Sequence, residues 1–186
     1  MNRLHVRCMA AGVVVCAAGY APARSQVPQS DKPGPIAGEE QEAAWTRLKA
    51  LVGVWKGTGE PGSARVEQRY RLILQDNFLH AQTSSVSEGD THEDWEILSV
   101  DRSRQKVVLR QFVSEGFINQ YVLDQVEDGG RSMVFVSEAC ENAPPGFRAR
   151  QTLTIEDDDR ISQRLELAPA GRQFSQCSAT TLARSD

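Results

Sequence analysis

The chain has 186 residues, 40% of them hydrophobic, with Lys+Arg of 21 against Asp+Glu of 25 for a formal charge of −4. That length and composition suit one ordinary domain with a packed core. The acidic balance argues against nucleic acid or an anionic membrane as an electrostatic partner.

Residues 1–23 read as an export signal. Arg3 and Arg7 lie at the start, Cys8 to Tyr20 is almost unbroken apolar and small, and Ala21-Pro22-Ala23 supplies the small residues a signal peptidase reads. The apolar run is too short to span a bilayer. A second cut after Ser25 is open, because Ala23 and Ser25 are also small. Val13-Val14-Val15 before Cys16 argues against lipid attachment. The expected location is therefore periplasmic or secreted, with no membrane bound to the mature form. Cleavage removes Cys8 and Cys16 and leaves Cys140 and Cys177 where a disulfide is permitted. A bridge would contribute about 3 to 4 kcal/mol; the alternative is two buried thiols.

Residues 24–38 contain Pro28, Pro33, Pro35, Gly34 and Gly38 among polar residues and read as a tether. From Glu39 to Val52 the spacing of Trp45, Leu48 and Val52 predicts a short amphipathic helix, with Leu51 beside them. Glu39, Glu40 and Glu42 enrich its first turn, where the helix dipole favours anions, and Gly53 ends it.

After Gly53 the period changes to two. Val66, Gln68, Tyr70, Leu72 and Leu74 alternate with Arg65, Glu67, Arg69 and Arg71, which is a half-buried strand. Turn signals then recur at short intervals, from Gln75-Asp76-Asn77 to Pro169–Gly171. Between them lie about ten strands: 53–60, 65–74, 78–87, 91–100, 106–113, 117–126, 131–138, 147–156, 160–168 and 172–183. No interval holds a crossover helix, so neighbours pair antiparallel through hairpins. Closing such a meander removes its exposed edges. The expected fold is all-β, an up-and-down barrel of about ten strands over residues 39–186 with the helix closing its base. A two-sheet sandwich is the alternative.

Turning the more apolar face of each strand inward gives the rows Val107/Leu109/Gln111/Val113, Phe117/Asn119/Tyr121/Leu123, Phe147/Ala149/Gln151/Leu153/Ile155 and Ile161/Gln163/Leu165/Leu167. Each has one uncharged amide near its middle. With Gln68, Tyr70 and Gln176, the lumen is expected to be apolar at its ends and polar but uncharged at its waist. A buried amide without a partner costs about 1 to 3 kcal/mol, so these residues imply an internal hydrogen-bond network, trapped water or a ligand. The candidate ligand-binding residues are thus Gln68, Tyr70, Gln111, Asn119, Tyr121, Gln151, Gln163 and Gln176, and the expected partner is a small neutral or amphiphilic molecule. The opposing reading is an interaction module whose interior is only a core.

No catalytic residue is assigned, since no Gly-x-Ser-x-Gly elbow is present. His80 or His92 beside a carboxylate is the remaining acid–base candidate. His92, Glu93 and Asp94 beside a turn lack metal-ligand spacing, and Asp157-Asp158-Asp159 lacks the spacing of a calcium loop, so no metal is expected. Gly57-Thr58-Gly59 does not open a helix, which excludes a phosphate cradle.

Leu51-Val52-Gly53-Val54-Trp55-Lys56-Gly57-Thr58-Gly59, directly after a short helix, resembles the Gly-x-Trp opening of the calycin barrels, the lipocalin and fatty-acid-binding group. Its extra glycines make it more similar to the nitrobindin-like haem-binding barrels and related secreted bacterial domains. The likeness spans Glu39 to Arg184. It implies that Trp55 closes the barrel base and that Arg184, from the end of the last strand, packs over it. It also implies haem, held by a His near the C-terminal end. Residues 173–184 contain no His, so His80 or His92 would have to take that role.

Overall fold

The computed structural model describes residues 38–185 except residue 62, and before them only a two-residue backbone pairing of Cys8–Met9 with Gly12–Val13. The export signal and nearly all of the Pro-rich tether lie outside the described residues.

Helix α1 spans Gly38–Lys49. It begins one residue before the expected start and ends three before Val52. Its buried stripe is Gln41, Ala44 and Leu48, continued by Leu51 in the following turn. Val52, expected on that stripe, is 41% exposed because the helix has already ended and the chain has turned toward the first strand.

Ten strands follow: β1 (Gly53–Glu60), β2 (Ala64–Ile73), β3 (Phe78–Ser87), β4 (Asp90–Asp101), β5 (Lys106–Val113), β6 (Ile118–Glu127), β7 (Ser132–Glu141), β8 (Arg148–Asp157), β9 (Arg160–Ala168) and β10 (Ser175–Ser185). Each pairs antiparallel with its sequence neighbour, and β10 returns to β1 with Leu182 opposite Gly57 and Arg184 opposite Trp55. The barrel is closed, so no edge is left to pair with another chain.

Closure depends on two glycines of the opening motif. Gly57 lies so close to β10 that a Cβ there would overlap the Thr181 carbonyl oxygen. Gly53 has φ +139°, and a Cβ on it would stand 2.9 Å from the Arg184 guanidinium. Only a residue without a side chain lets Arg184 lie against the base.

One continuous core runs through the barrel, with Trp55, Leu48, Leu79, Leu98, Tyr121, Leu123, Phe135, Ile161 and Leu182 among its members. Two bulges interrupt the β6–β7 ladder, and one interrupts β9–β10, where Leu165 faces Ser178 but Glu166 faces Gln176. That last bulge absorbs Cys177 and reverses the alternation beyond it.

Candidate functional site

The inward rows expected for β5, β6, β8 and β9 are those observed, and so is that of β2 except at Leu74, which lies in the turn after the strand and is 68% exposed; together they bring seven of the eight candidate residues into one polar belt. Gln68 Nε2 donates to Thr83 Oγ1 at 3.1 Å, and Tyr70 OH donates to Gln68 Oε1 at 3.1 Å. Gln163 Nε2 donates to Tyr70 OH at 3.0 Å from the far side of the seam, and Thr180 Oγ1 donates to Gln163 Oε1 at 3.4 Å. On the other wall, Asn119 Nδ2 and Tyr121 OH both donate to Gln111 Oε1, at 3.0 and 3.2 Å. Burial holds the Tyr70 and Tyr121 hydroxyls far above the usual phenol range, so both stay protonated donors.

Gln176 does not join them. It is exposed and faces Glu166 on the outer surface, because the bulge at Cys177 shifts the register by one residue. Nor is there a bridge between Cys140 and Cys177. Two strands, β8 and β9, separate β7 from β10. That is roughly 14 Å around the wall, whereas a disulfide needs Cα atoms within about 7 Å.

The belt is not uncharged. β4 turns His92, Asp94 and Glu96 inward; they are 6%, 5% and 4% exposed. Gln151 Nε2 donates to Glu96 Oε1 at 2.7 Å. Burial, followed by the neighbouring Asp94 charge, pushes the Glu96 carboxyl up to about 8, so it carries a proton near neutrality. Asp94 is also raised by burial, against the hydrogen bonds and charge of His92 and the Thr83 hydroxyl. For His92, burial disfavours the cation, but the carboxylates of Asp94 and Glu115 on either side outweigh it and raise its pKa. His92 Nδ1 lies 2.8 Å from Glu115 Oε1, and its Nε2 lies 3.8 Å from Asp94 Oδ2.

Sequence reasoning missed Asp94 and Glu96 as interior groups. The outer face of β4 carries Trp95, which is 50% exposed, and the half-buried Ile97. Hydropathy therefore reads the strand backwards. The usable signal was pairing: Glu96 stands opposite Ala81 and Gln111, both of which face inward.

The remaining space is small. A cavity of about 10 Å³ is lined by the polar Tyr70, Glu96, Gln151 and Gln163 together with the apolar Leu98, Leu109, Phe135 and Leu153. That is room for about one water, far less than a hollow barrel was expected to leave. A haem does not fit this interior. His80 lies on the outer wall, its Nδ1 accepting from Arg71 Nε at 3.0 Å and its ring edge-to-face with Trp95 at 5.2 Å. His92 is flanked by two carboxylates, and neither His lines the cavity. Among the described residues no group of three or more His, Cys, Asp or Glu is arranged to hold a metal.

Three buried polar atoms of the belt make no hydrogen bond within the protein: Asp94 Oδ1, Gln151 Oε1 and His92 Nε2, the last keeping only its 3.8 Å ion-pair contact with Asp94. An orphaned buried acceptor or donor costs about 1 to 3 kcal/mol.

The Arg184 guanidinium lies 4.3 Å from the Trp55 ring centroid. Arg184 Nη1 and Nη2 donate to Val52 O at 2.9 Å and Ala50 O at 3.0 Å, and Trp55 Nε1 donates to Leu51 O at 2.7 Å. This pair ties the helix exit to the last strand and has no free polar face toward the lumen.

The chain is similar in structure to Rv2717c from M. tuberculosis, with a TM-score of 0.62 and 20% identity over 77% of this chain and 98% of that one. At that identity the likeness shows the barrel fold alone. No protein-family model matches the chain. No curated protein matches it either.

Proposed function

We propose that the chain is an exported, calycin-type barrel that binds a small amphiphilic molecule at its waist. The observation that carries this reading is the set of three polar atoms, Asp94 Oδ1, Gln151 Oε1 and His92 Nε2, buried inside a closed barrel without a hydrogen bond. A core selected only for stability fills such positions with paired or apolar groups. The wall of the cavity is itself amphiphilic, with Glu96 and Gln151 among Leu98, Leu109 and Phe135. The stacked Trp55 and Arg184 support the calycin kinship, and the N-terminal residues support delivery to the periplasm or the exterior.

Native mass spectrometry of protein purified from its own host tests the reading. A small molecule retained by the folded chain and released on unfolding is expected. A folded chain carrying nothing beyond solvent would count against it.

A second reading, an interaction module without a ligand, draws on the outer wall. Trp95 and Phe112 are cross-strand partners, 50% and 45% exposed. Under that reading, polar substitution of both abolishes capture of a protein partner and leaves the lumen untouched.

A further inference from the structure

The interior of the barrel holds acceptors that no donor of the described residues fills. Asp94 Oδ1 and Gln151 Oε1 are both acceptors, both buried and both unpartnered. Asp94 and Glu96 are two residues apart on β4 and therefore share its inner face, at 5% and 4% exposure. No lysine or arginine is found among the buried residues described; the basic group beside the pair is His92, which is shared between Asp94 at 3.8 Å and Glu115 at 2.8 Å and leaves Glu96 without a cation of its own.

We infer that the polar end of the ligand is a protonated primary amine, held by Glu96 and Gln151 with Asp94 beside it, on a short alkyl chain. This rests on the binding-barrel reading above and names its ligand class.

An ammonium group has three donors and no acceptor, the complement of a carboxylate, an amide oxygen and a second carboxylate oxygen. Its head is close to a water in size, which matches a cavity of about 10 Å³ beside Glu96 and Gln151. Leu98, Leu109, Phe135 and Leu153, which line the same cavity, offer an apolar surface to a short alkyl tail, which enters as those side chains rearrange. A neutral alcohol supplies one donor where three are wanted. A carboxylate ligand would set its negative charge against Asp94 and against a Glu96 that is already kept neutral by that charge.

The groups facing Glu96 are Asp94 and His92 from its own strand, Tyr70 from β2 and Tyr121 from β6, with neutral Gln151 opposite. His92 is engaged by Glu115 and Asp94, and both tyrosines are neutral, so the proton on Glu96 stands where a cation belongs. Binding replaces it: the alkylammonium ion enters with its own three N–H bonds intact, Glu96 becomes a carboxylate, and its proton leaves to solvent. Affinity then rises with pH as long as Glu96 starts protonated, by up to about tenfold per unit.

Calorimetric titration with propylammonium chloride, 1-propanol and sodium propanoate at pH 6.5, 7.5 and 8.5 tests this. Propylammonium is expected to bind at least about tenfold more tightly than propanol, with an affinity gain of about five- to tenfold from pH 6.5 to 7.5 and one proton released. Glu96→Gln keeps the shape and a hydrogen bond for Gln151, and is expected to lose both the pH dependence and at least about tenfold in affinity. Asp94→Asn is the companion variant should Glu96→Gln not fold, and unchanged propylammonium binding in folded Asp94→Asn overturns the assignment. Propanol binding as tightly as propylammonium, or an affinity independent of pH, also overturns it and leaves the binding barrel standing. Absence of binding by all three probes overturns the amine as well, while the retained molecule sought by native mass spectrometry decides the binding reading separately.

Discussion

Gln151 Nε2 reaches across the lumen from β8 to Glu96 Oε1 on β4 and bonds it at 2.7 Å. The two strands are not neighbours in the barrel, so this contact is a strut through its centre rather than part of a ladder. Its acceptor is a carboxyl group that folding holds in the neutral form, which couples the stability of the barrel to pH.

The sign of that coupling follows from the raised pKa. Glu96 in the folded chain keeps its proton up to about pH 8, while the unfolded side chain loses it near 4.5. Its contribution is therefore complete below 4.5 and is lost as pH rises to about 8. Asp94 and His92 are raised too and act in the same direction, whereas His80, lowered by burial and by Arg71, acts in the opposite one. The melting temperature is expected to fall from pH 5 to pH 8, with a slope of up to about 1.4 kcal/mol per unit from one proton. Glu96→Gln should flatten that segment in pH-dependent calorimetry; an unchanged slope would show that Glu96 does not carry it.

Arg184 holds the base by a fork that a point charge cannot imitate, with two backbone acceptors and an indole face. Arg184→Ala is expected to destabilise the barrel by about 2 to 4 kcal/mol, from two lost hydrogen bonds and the cation–π contact. Arg184→Lys should recover less than half of it. Urea midpoints for the three proteins provide the measurement.

Gly57 is where the seam between β1 and β10 is tightest. Because the obstacle is backbone rather than a side chain that can swing away, Gly57→Ala must push the strands apart. A loss of at least about 3 kcal/mol is expected. Gly116→Ala, in an exposed turn with open space around it, should cost only the strain of its φ of +88°. Thermal melting of the two variants separates overlap from backbone strain.

Gln163 and Gln176 look alike in sequence and differ in place. Gln163→Ala removes the donor to Tyr70 OH and the acceptor for Thr180, and is expected to cost about 1 to 3 kcal/mol. Gln176→Ala on the outer surface should fall within about 0.5 kcal/mol of the parent. Equal effects in denaturant unfolding would mean that the bulge at Cys177 is absent in solution.

The two cysteines give a chemical check on the same bulge and on strand order. Alkylation after denaturation without reductant should modify both Cys140 and Cys177, each found as a separate adduct by peptide mass. A linked peptide would contradict the order β7-β8-β9-β10 around the wall.

Much of this protein was legible before any coordinates. Alternation in Val66-Glu67-Gln68-Arg69-Tyr70 marks a strand with one wet face, and hairpin signals at every interval leave no route but antiparallel neighbours. Closure followed from the cost of open edges, and the role of Trp55 and Arg184 from resemblance. These are local properties, written in spacing and turn chemistry. The structure alone decided what lies within. A single extra residue at Cys177 carries Gln176 out of the lumen, and such bulges leave no mark in hydropathy. Trp95 and Ile97 face outward while Asp94 and Glu96 face inward, an arrangement set by the pairing of β4 with β3 and β5 rather than by the strand's own preference. The space between those inward side chains is fixed by how ten walls pack together, which no one segment records.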